Sequence, residues 1–290
     1  MNAASPPLLQ LVNLSAYYRS GFVSAAQPQA TRRTKETRTL KPNSPAVGDG
    51  IHGVNLQIEP GEFFGLVGES GSGKTTLARV ITGQIPCDTG SVFFNGRDIT
   101  RLHGSKRIRA TRCGIQMVFQ DPYNSFNPRL PIGFQMAEPL LVAGVKEVDQ
   151  RRNRVCSMLE KIGLSEEVLD RYPGELSGGQ LQRIAIGTAL ITHPDLLVAD
   201  EPVSALDVSV QAQILDLFQE LRKLLNFTCL FISHDLDVVY YLCDRVAVMD
   251  RGELVEQGRV EEIYQNPRHE RTKALTRHLD FSDLFDASAE

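Results

Sequence analysis

Nothing in this chain of 290 residues supplies the cysteine pattern of a disulfide framework or a metal knuckle. Its five cysteines (Cys87, Cys113, Cys156, Cys229 and Cys243) are odd in number, scattered, and form no C-x-x-C pair. That is the usage of reduced thiols in a cytosol. No apolar run approaches the roughly 18 residues that cross a bilayer. The opening MNAASPPLLQLVNL lacks the basic start and apolar stretch of a signal peptide. The expectation is a cytosolic chain that meets a membrane only through partners. A basic excess is missing too. The net charge is −4 and the pI about 5.9, which argues against nucleic acid as a partner. Internal repeats are absent, so the chain does not hold two similar units in tandem.

What is present begins with enough hydrophobic sequence, 42%, to bury a sizeable core. Residues 20–50 are rich in Pro, Ser, Thr and Ala and carry Arg32, Arg33, Lys35, Arg38 and Lys41. This composition suits a flexible, solvated basic loop between two strands, with contact to an anionic lipid or a partner as the other reading. A short apolar run, Phe63–Val67, ends in a glycine-rich loop, and a helix is expected from Thr75. Ser91–Phe94 followed by Asn95-Gly96 reads as a hairpin. Residues from about 122 to 190 have helical patterns and no strong strand signal, suggesting an inserted helical subdomain. Leu196–Ala199 and Phe227–Ile232 read as fully buried strands of a parallel sheet. Between them Val210, Ile214, Leu217, Phe218, Leu221, Leu224 and Leu225 keep a helical period, as a crossover helix would. Val246–Met249 and Glu253–Glu256 flank another turn, and the tail past Glu261 is polar and partly helical. Alternating strands and helices define an α/β fold.

The segment Gly68-Glu69-Ser70-Gly71-Ser72-Gly73-Lys74-Thr75 fits G-x-x-x-x-G-K-[ST], with Thr76 following. Glycines let the backbone curl so that successive N–H groups face phosphate oxygens. Lys74 would reach the β and γ oxygens, and the Thr75 hydroxyl would hold Mg²⁺. Leu196–Ala199 ends in Asp200-Glu201. Asp200 suits the carboxylate that completes the Mg²⁺ site through water. Glu201, one residue nearer the γ-phosphate, suits the group that orients or deprotonates an attacking water. A second anion grip stands at Ser177-Gly178-Gly179-Gln180, where S-x-x-Q has the spacing of a capping box and a helix follows. It has no lysine or metal ligand beside it. One complete grip and one partial grip in a single chain imply two subunits facing head to tail, each closing on the other's ATP.

LSGGQ between a P-loop and an Asp-Glu strand end resembles the signature of ATP-binding cassette (ABC) ATPases, and further residues agree. Gln120 in MVFQDP matches the family's Q-loop, which senses Mg²⁺ and water beside the transmembrane partner. Ser204-Ala205-Leu206-Asp207 matches the D-loop at the dimer interface. His234 in FISHD matches the switch histidine, and Tyr18 in NLSAYY the aromatic that stacks on adenine, with Tyr17 as the alternative. GESGSGKTTLAR, VFQDPYNSFNPR, EPVSALDVSVQAQIL and IYQNPRHERTKAL resemble the ATPases of the oligopeptide/dipeptide/nickel importer group. There are departures: Gly187-Thr188 stands where that group usually has Ala-Arg, His269-Glu270-Arg271-Thr272 stands for H-P-Y-T, and the iron–sulfur segment of some relatives is missing.

The resemblance implies a P-loop NTPase (RecA-like) core with an antiparallel β subdomain. The cassette would cover residues 9–262 and the tail 263–290. Glu201, His234 and Gln120 are the expected catalytic set, and Thr75, Gln120 and Asp200 the expected Mg²⁺ ligands. Function would be ATP hydrolysis powering import of peptides, nickel or related small solutes, with a soluble regulatory ATPase as the alternative. The implied partners are two permeases, a second ATPase subunit (related or identical) and, indirectly, a solute-binding protein. Its place would be the cytoplasmic face of the inner membrane. A DNA-repair or chromosome ATPase would need a long coiled coil between Gln120 and Ser177, and a translation factor a second cassette. Neither is present.

Overall fold

The computed structural model describes residues 6–17, 50–102, 106–107, 111 and 114–276. Tyr18, Cys113 and the basic segment up to residue 49 lie outside the described residues.

Two sheets carry the fold. The first is antiparallel, with strand order β2-β1-β4-β5, built from β1 (Leu9–Tyr17), β2 (Gly50–Ile58), β4 (Thr89–Phe94) and β5 (Arg97–Asp98). Asn95, at φ 50°, and Gly96, at φ 70°, make the tight β4–β5 turn foreseen from Asn-Gly, both residues in the left-handed region that such a turn requires. The second sheet has six strands in the order β10-β9-β3-β8-β7-β6. It comprises β3 (Phe63–Val67), β6 (Ile115–Val118), β7 (Leu196–Asp200), β8 (Thr228–Ser233), β9 (Arg245–Asp250) and β10 (Glu253–Arg259). From β9 to β6 all pairings are parallel, and β10 closes the edge antiparallel to β9.

The central strands β3, β7 and β8 are buried along their whole length. Their near-continuous apolar sequences follow from this, because both faces of a parallel sheet are covered. Side chains alternate between two cores. Phe64, Leu66, Leu196, Val198, Leu230 and Ile232 face helix α1 (Lys74–Thr82) and the antiparallel sheet. Phe63, Val67, Leu197, Ala199, Cys229 and Phe231 face the remaining helices. Those are α2 (Ile132–Val142), α3 (Val148–Lys161), α4 (Gly178–Leu190), α5 (Val208–Leu225), α6 (Leu236–Leu242) and α7 (Val260–Gln265), followed by α8 (Glu270–Thr276). Helices α2–α4 fall within the stretch read as a helical insertion, and they share one continuous core with the sheet.

Three local expectations shift. Helix α1 starts at Lys74, one residue early, because Gly73 (φ 109°) already serves as its cap. Phe227 precedes β8 and packs its ring against Phe63, the centroids 5.3 Å apart. Leu224 is 63% exposed: it lies about 80° around the helix from Ile214, at the flank of the apolar stripe. Ile214, Leu217, Phe218 and Leu221 are buried as expected. Cys87, Cys156, Cys229 and Cys243 are all free thiols.

One residue in the phosphate-loop half was not visible as a structural element in sequence. Arg107 is buried, and its guanidinium donates to the carbonyls of Val80, Ile81, Ile99 and Leu102. It thereby adds to the backbone cap at the C-terminal end of α1, where Gly83 N–H also donates to the Val80 carbonyl. Burial pulls its pKa down to about 10.

Gly187 sits at a tight helix contact. A Cβ there would stand 3.0 Å from Ile162 Cδ1 and 3.2 Å from Met158 Cγ, so α4 and the end of α3 approach closely at this point. Gly187→Val should overpack this contact and destabilise the fold by about 1–3 kcal/mol. In urea denaturation the midpoint should fall while the slope stays unchanged.

Candidate functional site

The parallel register decides what meets at the C-terminal edge of the large sheet. Val67 pairs with Ser233, Asp200 with Ile232, and Val118 with Ala199. The residues that follow these strand ends are the loop Gly68–Gly73, His234, Glu201 and Gln120. Four motifs far apart in sequence therefore emerge side by side, on the edge where open parallel sheets bind their ligands.

The phosphate loop is built by conformation and close approach. Gly71 and Gly73 have φ of 81° and 109°, which other residues rarely adopt. Gly68 admits no side chain, since a Cβ would lie 2.2 Å from the Met249 carbonyl oxygen. The loop is held by Ser72 N–H donating to the Glu69 carbonyl at 3.1 Å. Helix α1 has no side-chain cap and no acidic residue in its first turn, leaving its N-terminal N–H groups open to an anion. Lys74 is buried, its ammonium donating to the carbonyls of Gly68 and Glu69 at 2.7 and 2.9 Å. Burial lowers its pKa, while Glu201 and Asp200 act against that shift. The Ser72 hydroxyl is buried without a hydrogen-bond partner, a polar atom that a phosphate oxygen would satisfy.

The Thr75 hydroxyl donates to Asp200 Oδ1 at 3.3 Å. Burial raises the Asp200 pKa; the Thr75 hydrogen bond opposes this and Glu201 adds to it. A hydroxyl and a carboxylate side by side are hard oxygen donors that suit Mg²⁺, which takes one or two carboxylates together with phosphate and water. No group of three or more His, Cys, Asp or Glu side chains is placed to cage a metal among the described residues. The donors present thus fit a magnesium ion shared with a nucleotide.

Glu201 is the hub of the polar cluster. Its φ of 46° is a strained conformation for a non-glycine residue, fixed by its N–H donating to the Ile232 carbonyl at 3.0 Å. Gln120 Nε2 donates to Glu201 Oε2 at 3.1 Å and to Ser204 Oγ at 3.3 Å. Ser204 Oγ in turn donates to the Glu201 carbonyl at 3.1 Å. His234 Nδ1 stands 3.3 Å from Glu201 Oε2. The Ser233 hydroxyl accepts the Asp235 N–H at 2.9 Å, shaping the turn that presents His234. Neither sequence pattern nor motif had singled out Ser233.

Ser177 and Gln180 form the expected capping box: Ser177 Oγ accepts the Gln180 N–H at 3.3 Å, and Gln180 Oε1 accepts the Ser177 N–H at 3.1 Å. Gly178 and Gly179 lie against the Ser204–Asp207 loop and the start of α5. A Cβ on Gly179 would meet Val210 Cγ1 at 2.7 Å, and one on Gly178 would touch Leu206 at 3.6 Å. The signature and the Ser204–Asp207 loop are therefore one packed unit. Ser70 lies within the loop, and Thr76 follows it in the first turn of α1. Tyr17 ends β1 with its ring 5.4 Å from that of His52.

This fold and edge define a P-loop nucleoside triphosphatase, an α/β cassette with a phosphate loop, a strand-end carboxylate pair and a glycine-flanked helix cap. The sequence model described as ABC transporter matches residues 51–204. The chain belongs to the ABC transporter family and is one of its ATP-binding, ATP-hydrolysing cassettes. It is 42% identical over 269 residues to the dipeptide transport ATP-binding protein DppF of Haemophilus influenzae, covering 93% of this chain and 77% of that protein. To the oligopeptide transport ATP-binding protein OppF of Salmonella typhimurium it is 47% identical over 234 residues, covering 80% and 70%. Among solved structures, the dimeric post-hydrolysis state of the cassette MJ0796, bound to ADP and Pi, superposes with a TM-score of 0.70 at 26% identity, covering 87% of this chain and 98% of that one. The protein cbiO1 from Clostridium perfringens, part of an ABC transporter complex, gives a TM-score of 0.71 at 27% identity, covering 90% and 92%. No helix among the described residues is long and apolar enough to cross a membrane.

Proposed function

We propose that this chain powers a membrane importer for peptides or related small solutes, working as one of two cassettes bound to permeases on the cytoplasmic face. The observation that carries this reading is the gathering of Lys74, Thr75, Asp200, Glu201, Gln120 and His234 at one sheet edge. The signature cap packs against Leu206 and Val210, beside this cluster. The names of the relatives, dipeptide and oligopeptide transport proteins, support the choice of cargo. In domain terms the cassette is residues 9–262, its helical part about 122–190, and the tail 263–290.

In the proposed cycle Tyr18 stacks on the adenine. The backbone N–H groups of Gly68–Thr76 and the Lys74 ammonium bind the phosphates. Lys74 must first leave the Gly68 and Glu69 carbonyls that hold it. Thr75, Asp200 and Gln120 would hold Mg²⁺, which when bound neutralises charge on the phosphate oxygens. Ser177 and Gly179 of one subunit then close over the γ-phosphate held by the other. Glu201 accepts a proton from the attacking water, and its orientation is set by Gln120 and His234. Gln120 sits where this carboxylate, the Ser204–Asp207 loop and the neighbouring Asp121–Ser125 turn converge. In this reading closure passes through it toward a permease. Loss of the γ-phosphate removes the bridge and reopens the pair.

Glu201→Gln should leave ATP binding in place and slow turnover by about 10²–10⁴-fold, the size of a general-base contribution, so that an ATP-bound dimer accumulates on size exclusion. Turnover at the wild-type rate would remove Glu201 from the role of base. Ser177→Arg should retain ATP affinity yet give no ATP-dependent dimer. The lost cap costs only about 1 kcal/mol, too little to unfold the cassette. Loss of ATP binding in this variant would mean that Ser177 serves its own subunit's nucleotide. A gentle-detergent pull-down of the tagged chain from its native membranes should bring down two permeases. Recovery without any membrane protein would instead support a regulatory ATPase.

A further inference from the structure

We propose that Arg271, on the C-terminal helix α8, is a positioning residue for the phosphate loop. It offsets the loop's own carboxylate, Glu69, and ties the loop to the β9–β10 hairpin behind it. The proposal rests on the reading of Gly68–Thr75 as the ATP site. Glu69 places a carboxylate in a loop whose task is to receive a triphosphate, and like charges there oppose binding. Arg271 Nη1 meets Glu69 Oε1 at 3.1 Å, and its Nε meets Asp250 Oδ2 at 3.3 Å. One guanidinium thus spans the phosphate loop and the end of β9.

A lone exposed ion pair would carry little weight, and the Glu69 side chain is 62% exposed, but the backbone that carries Arg271 is firmly anchored. The Glu256 carboxylate, on β10, accepts the N–H groups of Arg268 and His269, both at 2.9 Å, and the Thr272 hydroxyl at 2.6 Å. Thr272 is fully buried. His269 Nδ1 accepts the Arg271 N–H at 3.3 Å. Partial burial would raise the Glu256 pKa, but the Thr272 hydroxyl and the two N–H groups overcome it and leave the pKa lowered. On the far side, Gly252 N–H donates to the Ser72 carbonyl at 2.8 Å, and His52 N–H to the Gly252 carbonyl at 2.8 Å. The Met249 carbonyl is the wall against which Gly68 rests. The hairpin is therefore the back of the phosphate loop, and Arg271 cross-links the two. With its Nε already held by Asp250, the guanidinium loses less freedom in holding Glu69.

The test is charge removal and rescue in the full chain. ATP affinity is read by equilibrium titration with a fluorescent ATP analogue, and thermal unfolding is followed in parallel. Arg271→Ala should weaken binding by about three- to ten-fold, the scale of one unit charge acting through largely aqueous surroundings. The deficit should narrow as ionic strength rises. Arg271→Lys should recover part of it. Glu69→Gln in the Arg271→Ala background should restore most of the affinity, because the charge that Arg271 offsets is then gone. Unchanged affinity in Arg271→Ala would overturn the proposal. So would a loss that Glu69→Gln fails to restore, which would make α8 a strap for the fold alone. Lys74→Ala serves as the control: wild-type affinity in that variant would sink the ATP-site reading itself, separately from the role of Arg271.

Discussion

The parallel pairing of β3 with β8, β8 with β7 and β7 with β6 is the constraint on which the rest depends. A parallel ladder sends all its C-terminal ends to one edge, and a register fixed by two buried faces leaves no freedom to slip. Moving β7 by one residue against β8 would turn Leu197 and Ala199 toward the wrong core and carry Glu201 away from His234. The fully buried strands thus do two things at once. They supply the apolar contact that holds the cassette together, and they aim Lys74, Asp200, Glu201, Gln120 and His234 at one place.

At that edge the polar groups hold one another in place. Gln120, Ser204 and His234 surround one carboxylate on a backbone with positive φ. Strain of this kind persists only where neighbours enforce it, and here the Ile232 carbonyl and the Ser204 hydroxyl do so. Preorganised dipoles avoid reorganisation at the moment of reaction. The buried, unpartnered Ser72 hydroxyl and the Lys74 ammonium parked on its own loop's carbonyls mark the side of the site that changes partners when phosphate arrives. The phosphate loop and the Glu201 cluster therefore differ in kind: one is built of backbone groups around a lysine, the other of side chains around one carboxylate.

Much of this was legible in the residues. Strands β3, β7 and β8 were readable because burial on both faces leaves an unbroken apolar run, and the hairpin at Asn95-Gly96 because positive φ selects those residues. The Ser177–Gln180 box was readable because its partners lie three positions apart. Local chemistry leaves local signals. Arg107 left none, and Arg271 showed only as part of a departure from H-P-Y-T. Each acts on groups distant along the chain, Arg107 on the carbonyls ending α1 and Arg271 on Glu69 and Asp250. In sequence each is one more basic residue among many.

The sequence by itself determined the cassette: the phosphate loop, the strand-end carboxylates, the capped signature and the apolar periods that force an α/β sheet. Each is a short-range pattern whose physics is complete within a few residues. Only the tertiary structure decided which of these patterns face one another. It set the signature glycines against Leu206 and Val210, made the β9–β10 hairpin the back wall of the phosphate loop, and folded α8 onto it. Those contacts arise from sheet order and register, which depend on packing summed over the whole chain and are written in no single stretch of it.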